Sequence, residues 1–405
     1  MSNRSESGQK AWQILLIGFL IMVLAGLIFS WSIFITPIEK DLGFNRKDTS
    51  LVFTISLSIS ILGQIFAGFL KKKTNSFIVF GIPAVLFFLG FTFAARVQTI
   101  TSLYLSYGLL VGFGIGMVYN AVLAYALDHF TKNLGLASGL LLMGFGLGGM
   151  ILGTVAARLM ETVSWRALFS NLAWLFGISS IIAAFIFSRK PEVEIAKNTD
   201  RSANDLGPRE MVKDPSYLLM FLWFVAITSA NMIVIGHSAL LAKDLGTTDQ
   251  TAAWIAGLVS AFNGVSRLAI GKIYEIIKAK KLRNWLSIIT MASAVFGYLA
   301  YSNKVVWLLV FSFVFAGIVN GGGSVLAGAY LKTKYGSTNF GMNLGITNTH
   351  IIIASYIGNA VAGWLRTSMG DYRPAMLMML LFSGVALLIV MATSRSNSKA
   401  AFIDP

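Results

Sequence analysis

One arginine stands inside a stretch of sequence that is otherwise apolar and long enough to cross a bilayer. Arg267 lies within residues 254–271, about two helical turns before the basic run 272–283. A guanidinium stays protonated in proteins, and a charge at that depth costs at least about 2.5–3.5 kcal/mol. A bound carboxylate would offset that cost through two parallel hydrogen bonds. Arg267 is therefore predicted to bind an organic anion; the alternative is a structural arginine that pairs with helix carbonyls or snorkels to the cytoplasmic face.

Two further polar side chains are predicted to act with this arginine. Asn263 lies one helical turn earlier on the same face, where its amide orients the guanidinium or the substrate, or else joins two helices. His350 follows the polar residues 347–349, at a depth near Arg267 in the predicted spans. Histidine titrates near neutral pH, so His350 is predicted to bind substrate or carry a proton, with a buried and satisfied histidine as the alternative.

Composition identifies the chain as a polytopic membrane protein. Of its 405 residues 56% are hydrophobic and 12% charged, about half the charged share of a soluble domain. The net charge of +15 concentrates in the termini and loops placed inside, which is the positive-inside pattern, and no nucleic-acid-binding module is visible. With no cysteine in the chain, disulfide and thiol chemistry are excluded.

Hydropathy divides the chain into twelve predicted membrane helices, each near the ~20 residues that a span needs. The polar segment 189–216 predicts a cytoplasmic linker between two six-helix bundles, residues 1–188 and 217–405, the second ending in a cytoplasmic tail. Even helix number and basic loops place both termini in the cytoplasm of a plasma-membrane protein. The predicted spans are 11–36, 49–70, 76–96, 101–126, 135–158, 167–188, 217–241, 251–274, 285–302, 305–330, 340–365 and 374–393.

The two halves repeat each other in sequence. Gly68 and Gly271, each followed by a basic run, are 203 residues apart, and the segments 135–139 and 341–345 match at an offset of 206. Parallel halves joined by a cytoplasmic linker are the plan of the major facilitator superfamily, in which the substrate site lies near the bilayer midplane between the halves. Gln64 is the repeat mate of Arg267 and is predicted to face the substrate.

Several segments resemble the oxalate/formate antiporter family, close to bacterial monocarboxylate transporters. The glycine-rich segments 112–119, 134–139 and 144–149 are similar to that family's fourth and fifth helices, and residues 262–271 to its eighth. The resemblance covers nearly the whole chain. It implies an all-α major facilitator fold, with Arg267 as the ligand of the substrate carboxylate and Tyr119 at the position of another substrate ligand.

This chain departs from the family pattern in two places, of which the first bears on the substrate and the second on the gating contacts of the first half. The oxalate carrier has a lysine in helix eleven where this chain has Thr347. A dianion favours two cations and this sequence offers one permanent one, so a monocarboxylate is predicted instead. The family's loop motif after helix two, glycine-x-x-x-aspartate, is also changed, because Lys71 lies near the position of the aspartate. The second copy of this motif, residues 271–275, keeps an acidic residue, Glu275.

Four more residues are predicted to line the substrate site. The hydroxyl of Tyr119 can donate to a carboxylate, and Asn120 stands next to it. Phe29 and Trp31 in the first span are predicted to line the part of the site that contacts the apolar end of the substrate. For each aromatic residue, packing inside the helix bundle or against lipid is the alternative.

The predicted function is secondary active transport of a small monocarboxylate such as lactate, pyruvate or formate, by alternating access and coupled to protons. The sequence has no metal-ligand spacing, cofactor motif or catalytic constellation, and no acidic residue deep in a predicted span, so we expect neither an enzyme nor a bound metal or cofactor. The predicted partners are a small organic anion, protons and the bilayer, without nucleic acid, for a monomer. Open alternatives are a carboxylate exchanger, an efflux pump for another solute, and a receptor without transport.

Overall fold

The computed structural model describes residues 2–130, 133–188 and 205–395, and within those ranges every regular element is a helix. Three short helices of other types lie between consecutive α-helices: a 3₁₀-helix, Gly26–Ser30, and two π-helices, Tyr104–Val111 and Tyr356–Ala360. The α-helices are α1 Ser2–Ala25, α2 Trp31–Leu42, α3 Arg46–Lys73, α4 Ser76–Ala94, α5 Ile100–Leu103, α6 Gly112–Leu127, α7 Leu134–Leu159, α8 Trp165–Ile186, α9 Pro208–Met211, α10 Pro215–Asp244, α11 Asp249–Asn303, α12 Val306–Tyr335, α13 Phe340–Ser355, α14 Val361–Met369 and α15 Arg373–Arg395.

Ten segments in the described part of the chain are long and apolar enough to cross a membrane. They correspond to ten of the twelve predicted spans. The other two predicted spans, 251–274 and 340–365, are also helical. The first carries the polar residues around Arg267, and the second is divided by the π-helix Tyr356–Ala360 into two short α-helices. The all-α membrane fold expected from the sequence is confirmed.

α11 reverses direction while it stays helical. The sequence predicts a loop between residues 274 and 285, whereas α11 continues without interruption. A Cβ atom on Gly322 of α12 would lie 2.9 Å from Leu286 and 3.2 Å from Ile270, yet a straight helix would hold those two residues about 24 Å apart. α11 therefore folds back on itself, as two predicted spans require, and the predicted loop is wrong because the turn is made within helical backbone.

Contacts divide the described chain into two compact units. The first unit contains residues 2–130, 140–188, 205–207 and 335–346, and the second unit contains residues 133–139, 208–334 and 347–395. The start of α7 thus belongs to the second unit and the start of α13 to the first. The predicted bundles 1–188 and 217–405 remain a prediction, and most of the predicted linker, residues 189–204, lies outside the described residues, as does the tail 396–405.

Glycines let α3 and α6 approach closely in the first unit. A Cβ atom on Gly112 would lie 2.8 Å from the Ser56 backbone, and one on Gly63 would overlap the carbonyl of Phe113. Small residues at such positions let membrane helices pack backbone to backbone. The second unit instead packs α10, α11, α12 and α15 around a continuous apolar core that includes Val234, Phe313 and Met379.

Two of the three lysines at the end of α3 have polar partners. Lys71 forms an ion pair with Asp128, with 2.5 Å between Nζ and Oδ2, and Lys72 donates to Oδ1 of Asn339 at 2.9 Å. In the second unit the carboxylate of Glu275 accepts from the backbone N–H of Leu136 at 3.2 Å, in the first turn of α7. A negative charge suits the positive end of a helix, so the second copy of the loop motif keeps its acidic contact while the first uses lysines.

Candidate functional site

Arg267 is buried in the second unit, in the part of α11 before the turn. Only 5% of the residue is exposed, and its Nε donates a hydrogen bond to Oδ1 of Asn263 at 3.2 Å. The helical spacing of four residues puts both side chains on one face, as the sequence predicts. The amide holds one edge of the guanidinium, and this fixes the direction in which the group extends.

The helical turn with Asn263 and Arg267 is packed against glycines of α12 and of the start of α7, both in the second unit. On α12, a Cβ atom on Gly317 would lie 3.1 Å from the amide nitrogen of Asn263, and one on Gly321 would lie 3.2 Å from Cγ of Arg267. On α7, a Cβ atom on Gly139 would lie 2.5 Å from the carbonyl oxygen of Arg267. The backbone around Arg267 is therefore in close contact on two sides.

His350 lies in α13, buried against aromatic rings of α10. Its ring stacks on Phe224 with centroids 5.1 Å apart and meets Phe221 edge-on at 6.4 Å. Its Nδ1 is 2.7 Å from the carbonyl oxygen of Thr347. A carbonyl only accepts, so Nδ1 carries the hydrogen of this bond, and in the neutral ring Nε2 is then the basic nitrogen.

Thr347 joins this histidine to the start of α10. Its hydroxyl donates to the phenol oxygen of Tyr217 at 3.3 Å, and its carbonyl accepts from His350. The position at which the resemblance implies a lysine is thus occupied by a neutral hydroxyl that is hydrogen-bonded to Tyr217.

In the first unit, Tyr119 and Phe29 meet through a third ring. Phe145 of α7 is in edge-to-face contact with Tyr119, at 4.8 Å between centroids, and with Phe29, at 5.1 Å. Phe29 also contacts Phe53 at 6.5 Å and remains 42% exposed. The hydroxyl of Ser30 donates to the carbonyl of Gly149 at 2.6 Å, which fastens the 3₁₀-helix to α7 beside these rings.

The other predicted residues of the first unit are buried. Asn120 of α6 donates through Nδ2 to the carbonyl of Gly341 at 2.6 Å, a contact with the start of α13. Trp31 is 1% exposed, donates to the carbonyl of Thr49 at 2.8 Å and packs on Tyr107 at 4.4 Å. These contacts account for Asn120 and Trp31 as packing residues, and their role in substrate binding stays a prediction. Gln64 of α3 is 6% exposed, and its role is likewise a prediction.

A second polar cluster joins α10 to the loop before α15. Nδ1 of His237 lies 3.2 Å from the hydroxyl of Tyr372, and Arg366 forms an ion pair with Asp244 at 2.8 Å. Burial raises the pKa of Tyr372, an effect that the nearby Arg366 opposes. This cluster ties the ends of three helices together.

Sequence reasoning missed Phe145, Tyr217, Phe224 and the contacts of Gly321. Phe145 stands within the glycine-rich run 144–149, which marks no residue as a contact of Tyr119, so only the neighbouring rings reveal that contact. Among the described residues no group of three or more His, Cys, Asp or Glu side chains is placed to hold a metal ion.

Comparisons with known proteins agree with this architecture. The family model of the Major Facilitator Superfamily matches residues 14–281 and 219–402. The oxalate:formate antiporter of Oxalobacter formigenes is 23% identical over 377 residues, which cover 89% of this chain and 90% of that protein. Monocarboxylate transporter 13 of Rattus norvegicus is 22% identical over 378 residues, covering 92% and 86%.

Solved structures share the fold. A proton:xylose symporter of the same superfamily superposes with a TM-score of 0.74 at 14% identity, over 95% of this chain and 96% of that one. At this identity the match concerns the fold alone. The family model covers most of the chain, and the sequence resemblance to oxalate/formate and monocarboxylate carriers is confirmed. This chain, an integral membrane protein, therefore belongs to the major facilitator superfamily of transporters.

Proposed function

We propose that the protein is a secondary active transporter of a small monocarboxylate of the lactate, pyruvate or formate type, working by alternating access. The observation that carries this proposal is Arg267, a permanent cation that is buried within the mainly apolar stretch 254–271 and oriented by Asn263. A charged residue inside a membrane helix marks a substrate pathway by default. The relatives named for oxalate, formate and monocarboxylates support an anionic substrate.

The hydrogen bond to Asn263 bears on how a carboxylate would bind. With Nε donating to Oδ1 of Asn263, we propose that a planar anion binds through the Nη1–Nη2 edge. Two parallel hydrogen bonds at that edge would fix both the position and the orientation of the carboxylate. Alternating access then exposes the same arginine to the two sides of the membrane in turn.

The neutral side chain of Thr347, at the position where the resemblance implies a lysine, favours a monoanion. Its hydroxyl and that of Tyr217 are hydrogen-bonded to each other, and His350 is bonded to its carbonyl. A second carboxylate placed here would meet the dipoles of these hydroxyls instead of the charge of that lysine, and a desolvated charge without a counter-charge is costly. We infer that dicarboxylates bind more weakly than monocarboxylates.

Proton coupling is proposed to run through His350 or through the substrate carboxylate itself. Nε2 of the ring is the atom that would take the proton, since Nδ1 is bound to Thr347. In the first unit we propose Tyr119 as a donor to the substrate, Gln64 and Asn120 as further polar contacts, and Phe29 and Trp31 as apolar walls. The protein is further proposed to be a monomer without enzymatic activity, with both termini in the cytoplasm.

Exchange of two carboxylates is the second candidate, and its support is the resemblance to the oxalate:formate antiporter. Exchange and proton symport would use the same arginine. They differ in how the carrier reorients to its starting side: with a second carboxylate bound in exchange, and empty in proton symport. Proteoliposomes preloaded with unlabelled substrate separate them: an exchanger takes up label faster when substrate is inside, and a symporter responds to an inward proton gradient with empty vesicles.

The proposed function is tested by uptake of labelled lactate, pyruvate, formate and oxalate into proteoliposomes. Arg267→Ala is expected to abolish uptake while the protein still inserts. Arg158→Ala is the matched control, because Arg158 is exposed at the end of α7, and it should transport normally. Normal uptake by Arg267→Ala, or no uptake of any carboxylate by the unmodified protein, would refute the proposal.

A further inference from the structure

Gly321 stands where α12 touches the turn of α11 that carries the proposed substrate ligand. A Cβ atom built on it would overlap the carbonyl of Asn263 and the hydroxyl oxygen of Ser266, and would lie 3.2 Å from Cγ of Arg267. One contact is with backbone, which cannot rotate away. Any side chain at Gly321 must therefore displace the segment 263–267 or the stem of the arginine.

A second glycine one turn earlier extends this contact. A Cβ atom on Gly317 would lie 2.6 Å from the carbonyl oxygen of Val259, 3.0 Å from Cβ of Phe262 and 3.1 Å from the amide nitrogen of Asn263. Gly317 and Gly321 form a glycine-x-x-x-glycine pair, the spacing that lets two membrane helices approach closely. The closest approach falls at the residues that orient the guanidinium.

We infer that Gly321 is a positioning residue for substrate binding: it sets the distance between α12 and α11 and thereby the place of the Arg267 guanidinium and the Asn263 amide. This inference rests on the proposed function. A guanidinium binds a carboxylate in a two-point geometry, so displacing its stem weakens substrate binding and leaves the helices themselves formed.

The test compares Gly321→Ala with Gly328→Ala in proteoliposomes. Both changes replace glycine by alanine in α12 and raise helix propensity equally, but a Cβ atom on Gly328 would meet nothing within 4 Å. Gly321→Ala is expected to raise the KM of carboxylate uptake roughly 10- to 100-fold, the effect of losing one charged hydrogen bond. Its Vmax at saturation should match that of Gly328→Ala, whereas the overlap of the added Cβ with the backbone of Asn263 should lower the unfolding midpoint of the unliganded protein.

KM does not depend on how many molecules insert, so a low yield leaves the comparison valid. If Gly321→Ala does not insert, Gly317→Ala tests the same contact through the backbone of Asn263, again with a rise in KM expected. The inference is overturned if KM equals that of the control, if only Vmax or the unliganded midpoint falls, or if neither glycine variant inserts while the control does.

The Arg267→Ala variant separates this inference from the proposed function. If Arg267→Ala abolishes uptake and Gly321→Ala leaves KM unchanged, the arginine binds the substrate but Gly321 does not position it. If Arg267→Ala transports normally, the proposed function fails, and the inference about Gly321 fails with it.

Discussion

The hydrogen bond between Asn263 and Arg267 allows a substitution that changes charge and almost nothing else. Asn263→Asp keeps the size and position of the side chain and replaces the amide by a carboxylate about 3.2 Å from Nε. The new carboxylate is an internal competitor for the guanidinium. Because Arg267 is only 5% exposed, water screens the pair poorly, and the substrate must bind an arginine that already has an anionic partner.

The magnitude follows from Coulomb's law. Two unit charges about 4 Å apart attract by about 4 kcal/mol at an effective dielectric constant near 20. If the new carboxylate lowers the binding free energy of the substrate by half of that attraction, about 2 kcal/mol, binding weakens roughly thirtyfold. Asn263→Ala removes the same hydrogen bond without adding charge, and its loss of about 0.5–1.5 kcal/mol corresponds to a factor of roughly 2 to 13.

Uptake at varied substrate concentration in proteoliposomes measures both variants. KM is expected to rise in the order unmodified protein, Asn263→Ala, Asn263→Asp, and the deficit of Asn263→Asp should shrink at acid pH as the new carboxylate is protonated and its charge is lost. An Asn263→Asp variant whose KM matches that of Asn263→Ala at neutral pH would show that the guanidinium does not bind the anion.

Three further substitutions test other parts of the account. Thr347→Lys adds a second cation and is expected to improve the affinity for oxalate relative to formate at least tenfold in competition assays; an unchanged ratio would remove this residue from the determinants of specificity. Phe145→Ala removes an edge contact to Tyr119, worth about 0.5–1.5 kcal/mol, and should raise KM roughly two- to twelvefold; an unaltered KM would argue that the ring only packs. Asp128→Asn leaves Lys71 without its counter-charge and should lower the unfolding free energy by about 1–2 kcal/mol, read as a lower thermal midpoint; an unchanged midpoint would contradict that estimate.

Local spacing predicted the features that depend on a single helix. The separation of four residues between Asn263 and Arg267 puts them on one face of any helix, so their contact followed from sequence. Apolar length likewise located the spans. The segments that depart from α-helix, such as Gly26–Ser30, could not be placed in this way, because their backbone is set by the helix packed beside them.

Residues whose importance comes from neighbouring helices stayed invisible to sequence reasoning. Phe145 and Gly321 lie in glycine-rich runs that are typical of membrane helix packing, and nothing in those runs tells which member meets a functional side chain. Their contacts with Tyr119 and Arg267 appear only when the helices are assembled. The same holds for Tyr217, which is 130 residues from Thr347 along the chain.

The most direct test of the central claim is a thermal-shift titration of the purified protein with a panel of mono- and dicarboxylates, repeated on Arg267→Ala. A ligand that binds only the folded state stabilises it by RT ln(1 + [L]/Kd), about 2.7 kcal/mol at a hundred times Kd. The account predicts that at least one monocarboxylate raises the midpoint of the unmodified protein, that dicarboxylates do so less, and that Arg267→Ala shows no shift. Equal stabilisation of both proteins, or none by any carboxylate, would contradict it and leave Arg267 as a structural charge.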